Sequence, residues 1–203
     1  VSYLGLDVLP VRSNLRDAVA ESFGRRGVLV ESAVGAREFD DHAGVALPVR
    51  SFTWTCIDRT ACVELRTFLD ARKGRLVPFW APTCCRDLQL MADAAPGTTI
   101  VVRRAGYADY LFGLGPARQY VAIVPAGGAP LLRKVVNAVP ASSTTETLTL
   151  DNTTGQALTV GTTAISFLVL CRLAADFTDI EWSSPSRCEA RLSFVELPRE
   201  VPA

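Results

Sequence analysis

Apolar and polar positions alternate with a period of two along much of this chain, and that period predicts strands. Val45, Leu47 and Val49 alternate with small residues, and Phe52, Trp54 and Cys56 continue the alternation one residue out of phase. The phase change predicts one long strand with a bulge or bend near Arg50-Ser51. The short apolar run Val28-Leu29-Val30 predicts another strand before it. A helical period follows. Cys62, Leu65, Phe68 and Leu69 fall on one face, Asp58 stands where an N-cap belongs, and Gly74 closes the segment after Ala71-Arg72-Lys73. The basic last turn suits the negative end of the helix dipole. Residues 75–82 are too proline-rich for a central strand and read as an edge or extended segment packing the rings of Phe79 and Trp80.

Residues 93–173 change character. Segments 98–102, 120–124, 131–139, 145–150 and 165–170 read as strands, with turn signals at Pro96-Gly97, Gly127-Gly128 and Asp151-Asn152. Between Thr144 and Thr163 threonine is frequent and charge nearly absent, which suits a half-exposed strand, a contact surface or a solvated hairpin. The first style returns with Ile180-Glu181-Trp182, a turn at residues 183–186, and a final strand whose apolar face is Cys188, Ala190, Leu192 and Phe194. These shifts predict a mainly β fold in two parts. Residues 1–92 and 174–203 form a β-sandwich with one flanking α-helix, and residues 93–173 form an inserted small β-barrel or β-sandwich domain.

Composition narrows the classes. The 203 residues are enough for a sizeable core, 49% are apolar, and 21 basic groups balance 21 acidic ones. That balance argues against nucleic acid or an anionic membrane surface as partner, both of which select positive charge. The longest apolar run, residues 165–171, falls well short of the roughly 20 residues of a membrane helix. A soluble protein is therefore expected. Residues 1–10 are apolar but lack a positive lead-in and carry Asp7, so they do not read as a secretory signal; one already removed by processing stays open. Arginine far outnumbers lysine, which occurs only at Lys73 and Lys134. Interface use of Arg and GC-rich coding both account for this.

Candidate chemistry is sparse. The one histidine, His42, excludes multi-histidine metal sites, and its setting Asp40-Asp41-His42-Ala43-Gly44 reads as a polar turn. Cys56, Cys62, Cys84, Cys85, Cys171 and Cys188 contain no C-x-x-C spacing. They make a zinc or iron–sulfur site only if the fold gathers them, and are otherwise buried thiols acting as small hydrophobes. The adjacent Cys84-Cys85 pair is a redox feature or an ordinary loop pair. No phosphate loop or G-x-S-x-G elbow occurs. Asp40-Asp41 and Asp176 with Asp179 are the acidic pairs a glycoside hydrolase would need, although carboxylates beside turns are ordinarily solvated. Trp54, Trp80 and Trp182 lie on strand-like segments, where core packing is their natural role. No catalytic, cofactor-binding or metal-ligating residue is assigned, and no cofactor is expected.

The run Leu65-Arg66-Thr67-Phe68-Leu69-Asp70-Ala71-Arg72-Lys73-Gly74-Arg75, followed by Pro78-Phe79-Trp80-Ala81-Pro82, resembles the distal tail proteins of long-tailed phages, including the lambdoid minor tail protein M and gene-transfer-agent distal tail proteins. Residues 189–198 are similar to the last strand of those proteins. The resemblance covers residues 45–90 and 176–200. It implies a tail-tube-like β-sandwich with a flanking helix that assembles as a homohexameric ring between the tail-tube protein and the hub or tip proteins of a virion tail built in the host cytoplasm. No membrane or sequence-specific nucleic acid is implied as partner. In this reading Leu65, Phe68, Leu69, Phe79 and Trp80 hold the sandwich, and Arg72, Lys73 and Arg75 are the candidates for contacts between rings. The short lambdoid proteins lack the insertion, which would be an outward module. A carbohydrate-binding β module, with Tyr107 or Tyr110 in a shallow site, is the alternative.

Overall fold

The computed structural model describes residues 1–10, 20–24, 27–31, 37–41, 47–176 and 178–202. In chain order the strands are β1 (Ser2–Tyr3), β2 (Leu6–Asp7), β3 (Ala20–Gly24), β4 (Gly27–Glu31), β5 (Arg37–Asp41) and β6 (Leu47–Cys56), followed by the helix α1 (Arg59–Arg72). Then come β7 (Phe79–Pro82), β8 (Thr99–Arg103), β9 (Tyr120–Val124), β10 (Leu131–Pro140), β11 (Thr145–Leu150), β12 (Ala164–Leu173), β13 (Ile180–Ser184) and β14 (Arg187–Glu196). The fold is mainly β, as the alternation predicts, with a large antiparallel sheet. Among the described residues no helix is long and apolar enough to cross a membrane. His42, Val45 and Gly44 lie outside the described residues, and so does the side-chain placement of Val28, Leu29, Val30, Asp40 and Asp41.

Two compact units are present: Val1–Leu9, Phe79–Leu170 and Pro198–Ala203 in the first, Pro10–Pro78 and Cys171–Leu197 in the second. Relative to the division drawn from sequence, residues 79–92 and both ends of the chain lie in the unit that holds the middle strands.

The first unit is a closed barrel. Its antiparallel ladder runs β12–β9–β10–β11–β8, with one irregularity between Val135 and Asn137 in β10. Segment 88–91 joins the two ends of that ladder. Leu88 N–H donates to Ile165 O at 3.2 Å on β12, while Met91 N–H donates to Val101 O at 2.9 Å and Arg103 N–H to Gln89 O at 2.7 Å on the β8 side. Closure leaves no free edge there, and alternate residues turn inward. Leu90, Ile100, Val102, Val121, Ile123, Val135, Leu148, Leu150 and Ile165 fill the interior. A π-helical turn at Tyr107–Leu111, which the local sequence pattern does not announce, carries Tyr107 into the same core. β1 and β2 form a two-residue hairpin, with Leu4 at φ 49° and Gly5 at φ 78°. The Tyr3 ring lies 5.9 Å from Trp80 and 6.0 Å from Tyr120, and Trp80 Nε1–H donates to Tyr3 O at 3.0 Å.

In the second unit β6 pairs with β3 on one side and β14 on the other; β13 and residues 171–173 of β12 pair with the far side of β14. Strands β4 and β5 pair with each other. The β6–β14 ladder keeps one register from Cys56↔Cys188 to Val49↔Val195, so the bulge expected near Arg50-Ser51 is absent. The phase change has another origin. Pro48, Arg50, Phe52, Trp54 and Cys56 share one face, and Arg50 remains on it because its guanidinium is 2.9 Å from the buried Glu196 carboxylate and 3.1 Å from Glu21. The apolar part of that face packs Phe52, Trp54 and Phe194 with ring centroids 5.6 to 5.7 Å apart. Helix α1 lies against β6 and β14 and buries Cys62, Leu65, Phe68 and Leu69, the residues its periodicity selects. Asp58 caps it, with Oδ1 accepting from Thr60 N–H at 3.3 Å.

Candidate functional site

The C-terminal end of α1 and the segment running from the end of β12 into β13 border a groove in the second unit. Helix residues Arg66, Leu69, Asp70 and Lys73 face Leu173, Asp176, Thr178, Ile180 and Trp182 across a groove of about 610 Å³. Its lining includes Leu69, Leu173, Ile180 and Trp182 and charged groups of both signs. Trp182, on β13, is 47% exposed, whereas Trp54 and Trp80 are fully buried. A large half-exposed aromatic beside charged groups is the composition of a contact surface.

A clamp holds one lip of the groove. Arg75 backbone N–H donates to Asp176 Oδ1 at 3.1 Å, and its Nε and NH2 donate to Asp176 Oδ2 at 3.1 and 2.7 Å. These hydrogen bonds from Arg75 draw the Asp176 carboxyl below its ordinary value and raise Arg75 in turn. The turn that presents Arg75 is tightly constrained. Lys73 has φ 51° and Gly74 φ 65°, and a Cβ on Gly74 would stand 2.7 Å from Asp176 Oδ1 and 3.0 Å from Asp176 Cα. Glycine is required there both by conformation and by this close approach.

The three cations proposed for contacts between rings differ in setting. Arg72 is only 3% exposed. Its Nε donates to Phe68 O at 3.3 Å, its NH1 to Pro78 O at 3.4 Å, and its guanidinium sits 4.6 Å from the Phe68 ring centroid. Arg72 is therefore a stitch between the helix end and the chain leaving it, which corrects its expected place on a contact surface. Lys73 lines the groove, and Arg75 stands in the exposed clamp. Of the packing candidates, Leu65, Phe68 and Leu69 are buried in the second unit, and Phe79 and Trp80 are buried in the first.

Other sequence candidates separate as well. Asp176 is committed to Arg75 and not to a partner carboxylate. Tyr107 is buried, donates to Arg118 O at 2.9 Å, and offers no stacking face, while Tyr110 is 74% exposed. Cys84, at φ 58°, and Cys85 are partly buried. The fold does gather Cys56, Cys62 and Cys188, whose sulfurs all lie within 4.8 Å of one another. Burial pushes the Cys188 thiol up to about 12, and raises Cys56 and Cys171. The exposure of Trp182 and the Arg75–Asp176 clamp were not readable locally, because both depend on partners distant in sequence.

Comparison of the chain with protein-family models and with curated proteins finds no match.

Proposed function

We propose that this chain is a structural protein of a long-tailed bacteriophage virion, a distal tail ring that links the tail-tube protein to the hub and tip. The observation that carries the reading is a pair of strands in the second unit's sheet that each have one partner among the described strands. β3 pairs only with β6 and β13 only with β14 among the described strands. All five residues of β3 are exposed, Phe23 at 69%, and β13 carries the half-exposed Trp182. An uncovered edge with an outward aromatic invites pairing with another chain. Two unlike edges on one protomer favour a head-to-tail contact, and such contacts close into rings when the rotation allows. Resemblance of the helix and the segment after it to distal tail proteins supplies the kind of ring, a homohexamer.

Light scattering and negative-stain imaging test this on the purified chain, alone and with its candidate tail-tube protein. Six-fold rings, free or formed on tube ends, are the expected result. A stable monomer that ignores the tube and binds a glycan array would overturn the ring in favour of a carbohydrate-binding module.

A further inference from the structure

The three gathered cysteines come from three rigid places: Cys56 ends β6, Cys62 is in the first turn of α1, and Cys188 is near the start of β14. All three are 4% exposed or less. Cys188 and Cys56 are direct cross-strand partners. Within the cluster one pair is closest. Cys188 Sγ donates to Cys62 Sγ at 3.0 Å, about 1 Å beyond a covalent S–S bond.

We propose that Cys62 and Cys188 form a disulfide that clasps α1 to β14, with Cys56 as a third thiol within exchange reach. The chemistry of the pocket selects a covalent bond between sulfurs over a metal ion. Cys62 Sγ lies 3.8 Å from the carbonyl oxygens of Cys56 and of Ser186 and 3.0 Å from Cys188 Sγ. No fourth histidine, cysteine or carboxylate joins the three thiols among the described residues. Three thiolates on a divalent ion would leave net negative charge in a buried pocket, and closed zinc sites take four protein ligands. A disulfide is neutral, so the burial that disfavours thiolates does not oppose it.

The step needs a two-electron oxidant, here a low-molecular-weight disulfide met while the chain folds and the thiols are still reachable. One cysteine thiolate attacks that disulfide, forming a mixed disulfide and releasing one small thiol. The second cysteine, as thiolate, displaces the other small thiol and completes the protein S–S bond, so that two protein thiols are oxidised and one small disulfide is reduced to two thiols. The bond would join residues 126 apart in sequence. A closure that long removes much conformational freedom from the unfolded chain, the term by which disulfides stabilise most.

The full chain is refolded in a buffer of reduced and oxidised glutathione, checked for native circular dichroism, then unfolded, alkylated with N-ethylmaleimide without reductant and analysed by intact mass and peptide mapping. Of the six cysteines, four are expected to label, with Cys62 and Cys188 recovered as one linked peptide pair. Adding a phosphine reductant should restore full labelling and lower the thermal midpoint. In Cys62→Ser the link should move to Cys56–Cys188, and in Cys188→Ser to Cys56–Cys62. Full labelling of the natively refolded wild-type chain overturns the proposal, as does a link through Cys84, Cys85 or Cys171. So does protection relieved by a chelator alone with stoichiometric metal released. The wild-type map decides even if a serine variant does not fold.

Discussion

Glu146 places a carboxyl group in the barrel and is fully buried on the same face of β11 as Leu148 and Leu150. The backbone meets it there: Gly106 N–H donates to Oε1 and Ala108 N–H to Oε2, each at 2.9 Å, at the start of the π-helical turn. A carboxylate held by two amide donors satisfies itself and two groups that a short turn leaves without intrahelical partners. Glu146→Ala would orphan both donors and open a cavity, and the expected loss is about 2–4 kcal/mol by urea unfolding. Glu146→Gln, which keeps one acceptor and turns a donor toward the other amide, should fall between the two. A second residue-scale expectation concerns Asp176. Its carboxyl is drawn below the ordinary 3.8 by Arg75, so the clamp contributes above that value and is lost as pH falls through the lowered one. A carbon-13 titration of the Asp176 carboxyl should show a midpoint below 3.8, returning to the ordinary value in Arg75→Ala. An unshifted wild-type midpoint would remove the clamp from solution. Glu146 was partly legible, since it shares parity with two leucines in Thr145-Glu146-Thr147-Leu148-Thr149-Leu150. The amides that receive it are 38 and 40 residues away and left no local trace.

Elements were the most readable level, because helical and strand periods are local and are set by a single buried face. The N-cap Asp58, the buried stripe Cys62, Leu65, Phe68 and Leu69, and the turn at Gly74 were all visible before any coordinate. Strand β6 was readable as a strand but not in its detail. Arg50 on an otherwise apolar face looks like a change of phase, and only the distant Glu196 explains why a charge stays there. Edge status was invisible for the same reason, since a strand does not record whether both neighbours are present. For β3 it matters most. Phe23→Lys places a charge on an exposed edge position, and by its exposure should change the protomer's stability by no more than about 0.5 kcal/mol. It should abolish or weaken self-association, because charge on an edge strand opposes pairing. Sedimentation velocity on wild type and variant, beside a thermal melt, separates the two effects. A variant that associates like wild type would take β3 out of the assembly surface.

At the scale of the whole molecule the chain leaves the second unit at Pro78, builds a barrel, and returns at Cys171, while the first nine residues and the last six belong to the barrel. Composition could show that the middle of the chain differs from its flanks. It could not place the boundary at residue 79, because that boundary depends on segment 88–91 closing the ladder between β8 and β12. Each unit has its own interior: Leu148 and its neighbours in one, and Trp54, Leu65 and Phe194 in the other. Separate cores make separate cooperative regions the expectation, each opening with its own free energy. Leu148→Ala, at a fully buried barrel position, should cost about 3 kcal/mol. In native-state hydrogen exchange the loss should appear in the amides of β8 to β11, whose ladder closes around that side chain, with β6 and β14 keeping their protection. Leu65→Ala should give the reverse pattern, lowering protection in α1, β6 and β14. Equal loss in both sets of strands from either substitution would mean that the chain opens as one body, since a shared transition transmits a core defect to every amide whatever its distance from the cavity.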